Sequence, residues 1–427
     1  MTTRLERAGL AVLLASLAPL VPLAALAHGD PIGGLAPLLD EAGRVVGAGT
    51  TWGVVLRDGD GWLRSCEEGP GAPPRLYHRA SDGRVLVGGD AGLASTRDGG
   101  CTYEPVEGAL LGHQIAALAV AGGAPSTMFA GTATPDRDNG VFVSRDEGRT
   151  FEATPLVAPG LRVGAIVVSD DGQRVLVAAQ DVDTANVRVF TSSDSGASFA
   201  PDPPALLGYD FVRLLGTASD GETFAAAVAT GSGNALLLSA DGFASSAEVG
   251  SFDDEVTAYG EVAGARFVTL SRTRLFRQAA SGEPFVLVTG PSRCLLRVPG
   301  DDRLWGCGQL PDGAHLLASS DGETWEPHVP FLGVEERLCP EGTAGRERCE
   351  RYLFPDAGPG RQDAGAKADA GSPRGDPPDC GCATTRESRE WSWLLAALVV
   401  GLTARSGCRS SLAGARSPRR RGAGSGR

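Results

Sequence analysis

The sequence predicts an all-β chain: a β-propeller of seven radial blades with four strands each, six or eight blades being the alternatives. Three observations predict it. A short motif recurs with a period near 45 residues. Between its copies lie brief apolar or alternating runs bounded by turn residues. Gly (60) and Pro (28) together make up about a fifth of the 427 residues, which suits tight turns better than a helical enzyme.

The motif comes first. Thr96-Arg-Asp98-Gly-Gly100-Cys-Thr102-Tyr103, Ser144-Arg-Asp146-Glu-Gly148-Arg-Thr150-Phe151 and Ser192-Ser-Asp194-Ser-Gly196-Ala-Ser198-Phe199 align without gaps. Degenerate copies follow at Ser239-Ala-Asp241-Gly242, at Ser319-Ser-Asp321-Gly-Glu-Thr324-Trp325 and at Asp58-Gly-Asp60-Gly61-Trp62, and 275–282 keeps only the spacing. The anchors 58, 98, 146, 194, 241, 279 and 321 give seven blades between about residues 30 and 330. In each copy the carboxylate can accept backbone N–H groups across a turn. Gly100, Gly148 and Gly196 supply a positive φ, and the aromatic packs between sheets. Asp98, Asp146, Asp194, Asp241 and Asp321 therefore read as structural, not as catalytic or metal-binding. The pattern Ser/Thr-x-Asp-x-Gly-x-Thr/Ser-aromatic resembles the Asp-box (BNR) repeat of sialidase-like β-propellers.

The segments before each box supply the other strands. Val163 to Val168 is an apolar run, Ser169 to Gly172 a turn, and Arg174 to Ala178 a second strand. Similar turns recur at 81–83 and 219–221. In an up-and-down blade the first and third turns share one rim with the boxes, and the second turn and the blade links share the other. The repeats between anchors 98 and 241 are the longest, which points to extended second turns at 134–140, 180–184 and 230–234. A protein or glycan ligand is accordingly expected on the rim opposite the boxes. There Asp136, Asp138, Asn139, Asp181 and Asp183 offer oxygen atoms to calcium, although solvated polar turns are the simpler reading. No cofactor is expected.

Both ends carry processing signals. Residues 1–27 have a basic start at Arg4 and Arg7, an apolar stretch and an Ala25-Leu26-Ala27 cleavage site, so 1–27 reads as a signal peptide and 28–354 as the propeller. Residues 355–379 form a low-complexity linker. Residues 380–427 begin with Cys380-Gly381-Cys382, then an apolar run from Trp391 to Ala404, then arginines. That run would rise only ~21 Å as a short helix, less than the ~30 Å hydrocarbon core. Linker, cysteines, short apolar helix and arginine cluster together resemble the myxobacterial C-terminal sorting signal (Myxo-CTERM). The resemblance implies processing near the cysteines and attachment through Cys380 or Cys382. A plain membrane anchor is the rival. The body is expected outside the cytoplasm, at the outer surface or outer membrane or released from it.

Six of the nine cysteines lie in the body. If Gly300-Asp301 forms a two-residue turn, Cys294 faces Cys307 within disulfide range. Cys339 and Cys349 are neighbours in sequence and could staple one loop. Cys66 and Cys101 are then left for each other, linking blades one and two. Export favours oxidation.

Net charge is −13, and both ends are basic, so the body is more acidic than the whole chain. This argues against nucleic acid as partner. A sialidase-like glycoside hydrolase needs an arginine trio, a tyrosine–glutamate pair and an acid. No early Arg-Ile-Pro motif is present, and Tyr103-Glu104 and Tyr259 with Glu261 do not by themselves mark such a pair. His78, His113, His315 and His328 are isolated and read as structural or surface residues. The sequence therefore reads as an exported, monomeric, surface-tethered propeller that binds protein or glycan without catalysis, with the hydrolase as one alternative. An assembly factor for an envelope complex is the other, on fold analogy alone.

Overall fold

A middle strand of this chain is apolar on both faces because both faces are covered. Along Val175–Asp181, Val175, Val177 and Ala179 pack with Phe129 and Val141 on one side. Leu176 and Ala178 pack with Phe224 and Ala226 on the other. The period of two thus sends alternate residues into two neighbouring sheets.

The computed structural model describes residues 34–347, except 52, 66–73, 210, 232, 272, 299–300, 309–312, 337–338 and 344–345. The expectations for the signal peptide and Ala27, Cys66, Cys349, the linker 355–379 and the segment 380–427 with Cys380 and Cys382 lie outside the described residues.

The described strands form seven sheets, each built on an antiparallel meander of four consecutive strands, and the first carries a fifth strand from the end of the ring. Blades 1 to 7 span 34–64, 74–105, 115–158, 161–201, 212–252, 256–288 and 294–330. First strands of successive blades pack side by side around the axis. All seven sequence anchors fall at the third turn of a blade.

The third turns seal each blade against the one before it. A Cβ placed on Gly148 (φ +78°) would lie 2.5 Å from Leu86 Cδ1 of blade 2, so only glycine fits there. Phe151 then buries beside Leu86 and Met128. Blade 5 solves the same problem differently. Phe243 stands where the three full copies have glycine, at φ +66°, and is fully buried against Leu176 and Val189 of blade 4. Its ring replaces the aromatic that this copy lacks at the end of the motif.

The ring closes on blade 1. Strand Val334–Glu336 adds in parallel to Gly61–Arg64, with Val334 opposite Trp62 and Glu335 opposite Leu63. This carries Cys339 to the third turn of blade 2, where it bonds Cys101 across 238 residues of sequence. The pairings expected from sequence proximity, Cys339 with Cys349 and Cys66 with Cys101, are corrected accordingly. The closing strand, not local spacing, decides which sulfurs meet. In blade 7, Cys294 faces Cys307 in register and is bonded to it, with Cα atoms 5.0 Å apart.

Because the Cys101–Cys339 bond closes the far longer loop, the double variant Cys101→Ser/Cys339→Ser should lose about 2–4 kcal/mol in guanidinium unfolding, more than Cys294→Ser/Cys307→Ser loses.

Candidate functional site

At the rim of the third turns, the inner strands pass into first turns of one plan. Ala80 N–H donates to Arg84 O at 2.9 Å, Ser169 N–H to Arg174 O at 2.9 Å, and Ala218 N–H to Thr223 O at 2.7 Å. In each, an aspartate (Asp82, Asp171, Asp220) accepts a backbone N–H across the bend. Ser81, Asp170 and Ser219 therefore occupy equivalent positions.

The two serines reach neighbouring blades. The Ser81 hydroxyl donates to the Glu147 carboxylate at 2.7 Å, and the Ser219 hydroxyl donates to Glu261 at 3.0 Å. Asp170 reaches much further. Arg297 of blade 7 donates to it through both Nη1 and Nη2, each at 2.6 Å. Blades 4 and 7 stand on opposite sides of the ring, so this bidentate pair crosses the axis. The Asp170 main chain is held on both flanks: its N–H donates to Gly221 O at 2.9 Å, and its carbonyl accepts from Gly123 N–H at 2.6 Å. A Cβ on Gly221 would lie 2.1 Å from Asp170 Oδ2.

Further ion pairs ring the same mouth: Arg44–Asp40 at 2.7 Å, Arg84–Asp82 at 3.0 Å, Arg266–Glu261 at 3.0 Å and Arg303–Asp301 at 2.8 Å. Two cavities open here. One, of about 810 Å³, runs down the axis from Asp40, Ser81 and Asp170 to mid-strand residues such as Ala116 and Leu295. The other, of about 510 Å³, lies over the mouth beside Ser219, Glu261, Asp302 and Arg303, and shares Gly122, Asp170, Arg297 and Asp301 with the first.

Tyr259 and Glu261 do meet. The buried Tyr259 hydroxyl donates to the Glu261 carboxylate. Burial and then the glutamate charge push the phenol well above its ordinary pKa. An activated phenolate nucleophile needs the opposite shift. Burial raises the Glu261 carboxyl, but donation from Tyr259, Arg266 and Ser219 outweighs it and holds the group below the usual range. Arg266 also donates to the Glu261 carboxylate, at 3.0 Å.

The remaining sequence-predicted residues have local work. Asp98, Asp146, Asp194, Asp241 and Asp321 each accept from their own turns; Asp146 takes Thr150 N–H at 2.9 Å and Thr150 Oγ1 at 2.7 Å. Donation from the Ser198 hydroxyl and N–H holds Asp194 down to about 2, and Ser245 does the same for Asp241, also about 2. Asp136 and Asp138 lie in the second turn of blade 3, whose frame is Asn139, bonded to Thr134 N–H at 2.7 Å. Asp181 accepts from Asp183 N–H and Thr184 N–H, each at 3.0 Å, in the second turn of blade 4. Among the described residues, no group of three or more His, Cys, Asp or Glu side chains is placed to hold a metal. Both of these cavities open on the aspartate-turn rim. The second turns of blades 3 and 4 are framed by their own hydrogen bonds, whereas the extended turn expected at 230–234 is corrected: Thr230 pairs directly with Gly233. Of the histidines, His315 packs on Phe331 with ring centroids 4.1 Å apart. His78 lines the axial cavity, and burial pushes its ring down to about 4.

No protein-family model matches the chain, and no curated protein sequence matches it. Solved structures do. The GH74 xyloglucanase from Xanthomonas campestris aligns at 14% identity and TM-score 0.47, over 70% of this chain and 54% of that one. YCF48 bound to D1 peptide aligns at 17% and 0.37, over 59% and 79%. TolB from Acinetobacter baumannii aligns at 14% and 0.38, over 59% and 64%. The chain spans about half the length of the xyloglucanase. Identities at this level bear on fold alone.

The aspartate turns set an acid limit. Asp194, Asp241 and Asp321 sit at about 2 when folded against 3.8 when free. Their contribution is complete above pH about 4 and is lost as pH falls toward about 2. The urea midpoint followed by tryptophan fluorescence should drop through that window, and Asp194→Asn should flatten the drop.

Proposed function

We propose that this chain is an exported, surface-tethered propeller that binds a glycan or protein at its axial mouth without catalysis. Export and tethering rest on the composition of residues 1–27 and 380–427. The observation that carries the binding reading is the polar mouth itself. Its arginines and carboxylates are mutually paired, planar and fixed by turns. Such groups can trade one partner for pairs of hydroxyls without leaving a buried charge bare.

Catalysis is disfavoured by the same pairs. A glycosidase needs one carboxyl raised as an acid and another free as base or nucleophile. Here Glu261 is lowered and bound, Asp170 is held by Arg297, and the Tyr259 phenol is raised. The neighbouring structures include both a xyloglucanase and a peptide-bound protein, so they do not choose between ligand classes. The cleft of about 510 Å³ is concave and polar, and it suits a glycan better than a flat protein surface. An envelope-assembly role would require a protein partner at the same mouth.

The test is a broad glycan panel read for both binding and hydrolysis by the full chain. Binding without turnover is expected. Asp302→Ala, at the exposed edge of the cleft, should weaken it about tenfold, the worth of one hydrogen bond to a charged group. Hydrolysis of any glycan contradicts the proposal.

A further inference from the structure

The axial cavity below the mouth has chemistry of its own. Its volume of about 810 Å³ falls within the ~300–1,000 Å³ typical of small-molecule sites. Its walls are mostly aliphatic and include Leu76, Ala116, Leu118, Ile166, Leu214 and Leu295. Its charged lining comprises Arg79 and Arg297 with Asp40, Glu41, Glu147, Asp170 and Asp301, and Arg297 is the arginine held on a carboxylate of this set. Arg297 is the last residue of strand Cys294–Arg297, and its side chain is only 21% exposed. A guanidinium so far withdrawn from water requires an anionic partner.

Asp170 meets that need from across the ring, although its own turn does not call for an aspartate. Asp171 performs the capping within the bend. The positions equivalent to Asp170 hold serine in blades 2 and 5. What Asp170 adds is a carboxylate placed bidentate on Arg297 at the top of an aliphatic cavity. Other basic groups lining the cavity are engaged or neutral. Arg79 donates to Leu39 O at 3.2 Å, and burial keeps the His78 ring uncharged near neutral pH.

We propose that the axial cavity binds a free aliphatic monocarboxylate, whose head group takes the bidentate position on Arg297 that Asp170 holds here. The Arg297 guanidinium, which grips one carboxylate through both Nη atoms, selects one carboxylate, and the aliphatic walls select an uncharged chain behind it. Asp170 acts as a built-in competitor, so the ligand binds in proportion to how often Arg297 is released. The head-group position shares Asp170 and Arg297 with the mouth proposed above for a glycan, but the aliphatic cavity beneath it does not rest on that reading.

Decanoate and decanol, titrated calorimetrically into the full chain, test the assignment. Decanoate should bind the unaltered protein at least about tenfold more tightly than decanol, the gain expected from one charge-assisted bidentate contact. Asp170→Ser installs the residue that the equivalent turns already carry. It should tighten decanoate about tenfold and leave decanol unchanged. Arg297→Leu should reduce decanoate to the level of decanol. Near-UV circular dichroism checks that each variant keeps the native ring. Equal binding of decanoate and decanol by the unaltered protein overturns the proposal. So does an Asp170→Ser protein of native spectrum with unchanged or weaker decanoate binding. If Asp170→Ser does not fold, the comparison of Arg297→Leu with the unaltered protein decides: equal decanoate affinity in the two rejects the site. None of these readings depends on whether a glycan binds.

Discussion

Seven radial sheets hold together only where each seals against the next, and here the seal is made at the third turn. A glycine with positive φ lets that turn press onto the preceding blade, as Gly148 does on Leu86 and Gly322 on the Phe267 ring, 2.6 Å from the place a Cβ would take. The aspartate ties the turn to itself, and the following aromatic fills the wedge. The seal also organises the mouth. Glu147 belongs to the third turn of blade 3, and it fixes the first turn of blade 2 through Ser81 and, by its carbonyl, through Arg84 Nη2 at 3.1 Å. First turns held in this way carry the charged groups that surround the axis.

The ring was legible in the sequence because its rule is local. Six blades carry a full or degenerate copy of one short motif and the sixth blade keeps its spacing, so seven anchors could be counted before any contact was known. The pairing of Cys294 opposite Cys307 was legible for the same reason, since register across a short connection follows from numbering. Phe243 was less so: a large residue in the glycine position looks like decay of the motif, whereas in space it supplies the missing aromatic.

What escaped the sequence is everything decided by closure. The strand Val334–Glu336 has three residues and no pattern of its own, yet it places Cys339 against Cys101. Arg297 and Asp170 lie 127 residues apart, and nothing near either one signals the other. In the second turns of blades 3 and 4, Asn139 and Asp181 frame the backbone, while the first turns bring side chains together at the axis. One hint was present: Asp170 breaks a Ser-Asp-Gly turn pattern that 81–83 and 219–221 keep.

The claim on which the functional account turns is that ligand enters at the axial mouth on the aspartate-turn rim. Amide hydrogen exchange of the full chain, with and without a bound glycan, addresses it directly. The account predicts added protection in residues 169–174, 219–223 and 294–298, with 134–140 and 181–186 unchanged. Protection confined to 134–140 and 181–186, with the mouth unaffected, would contradict it.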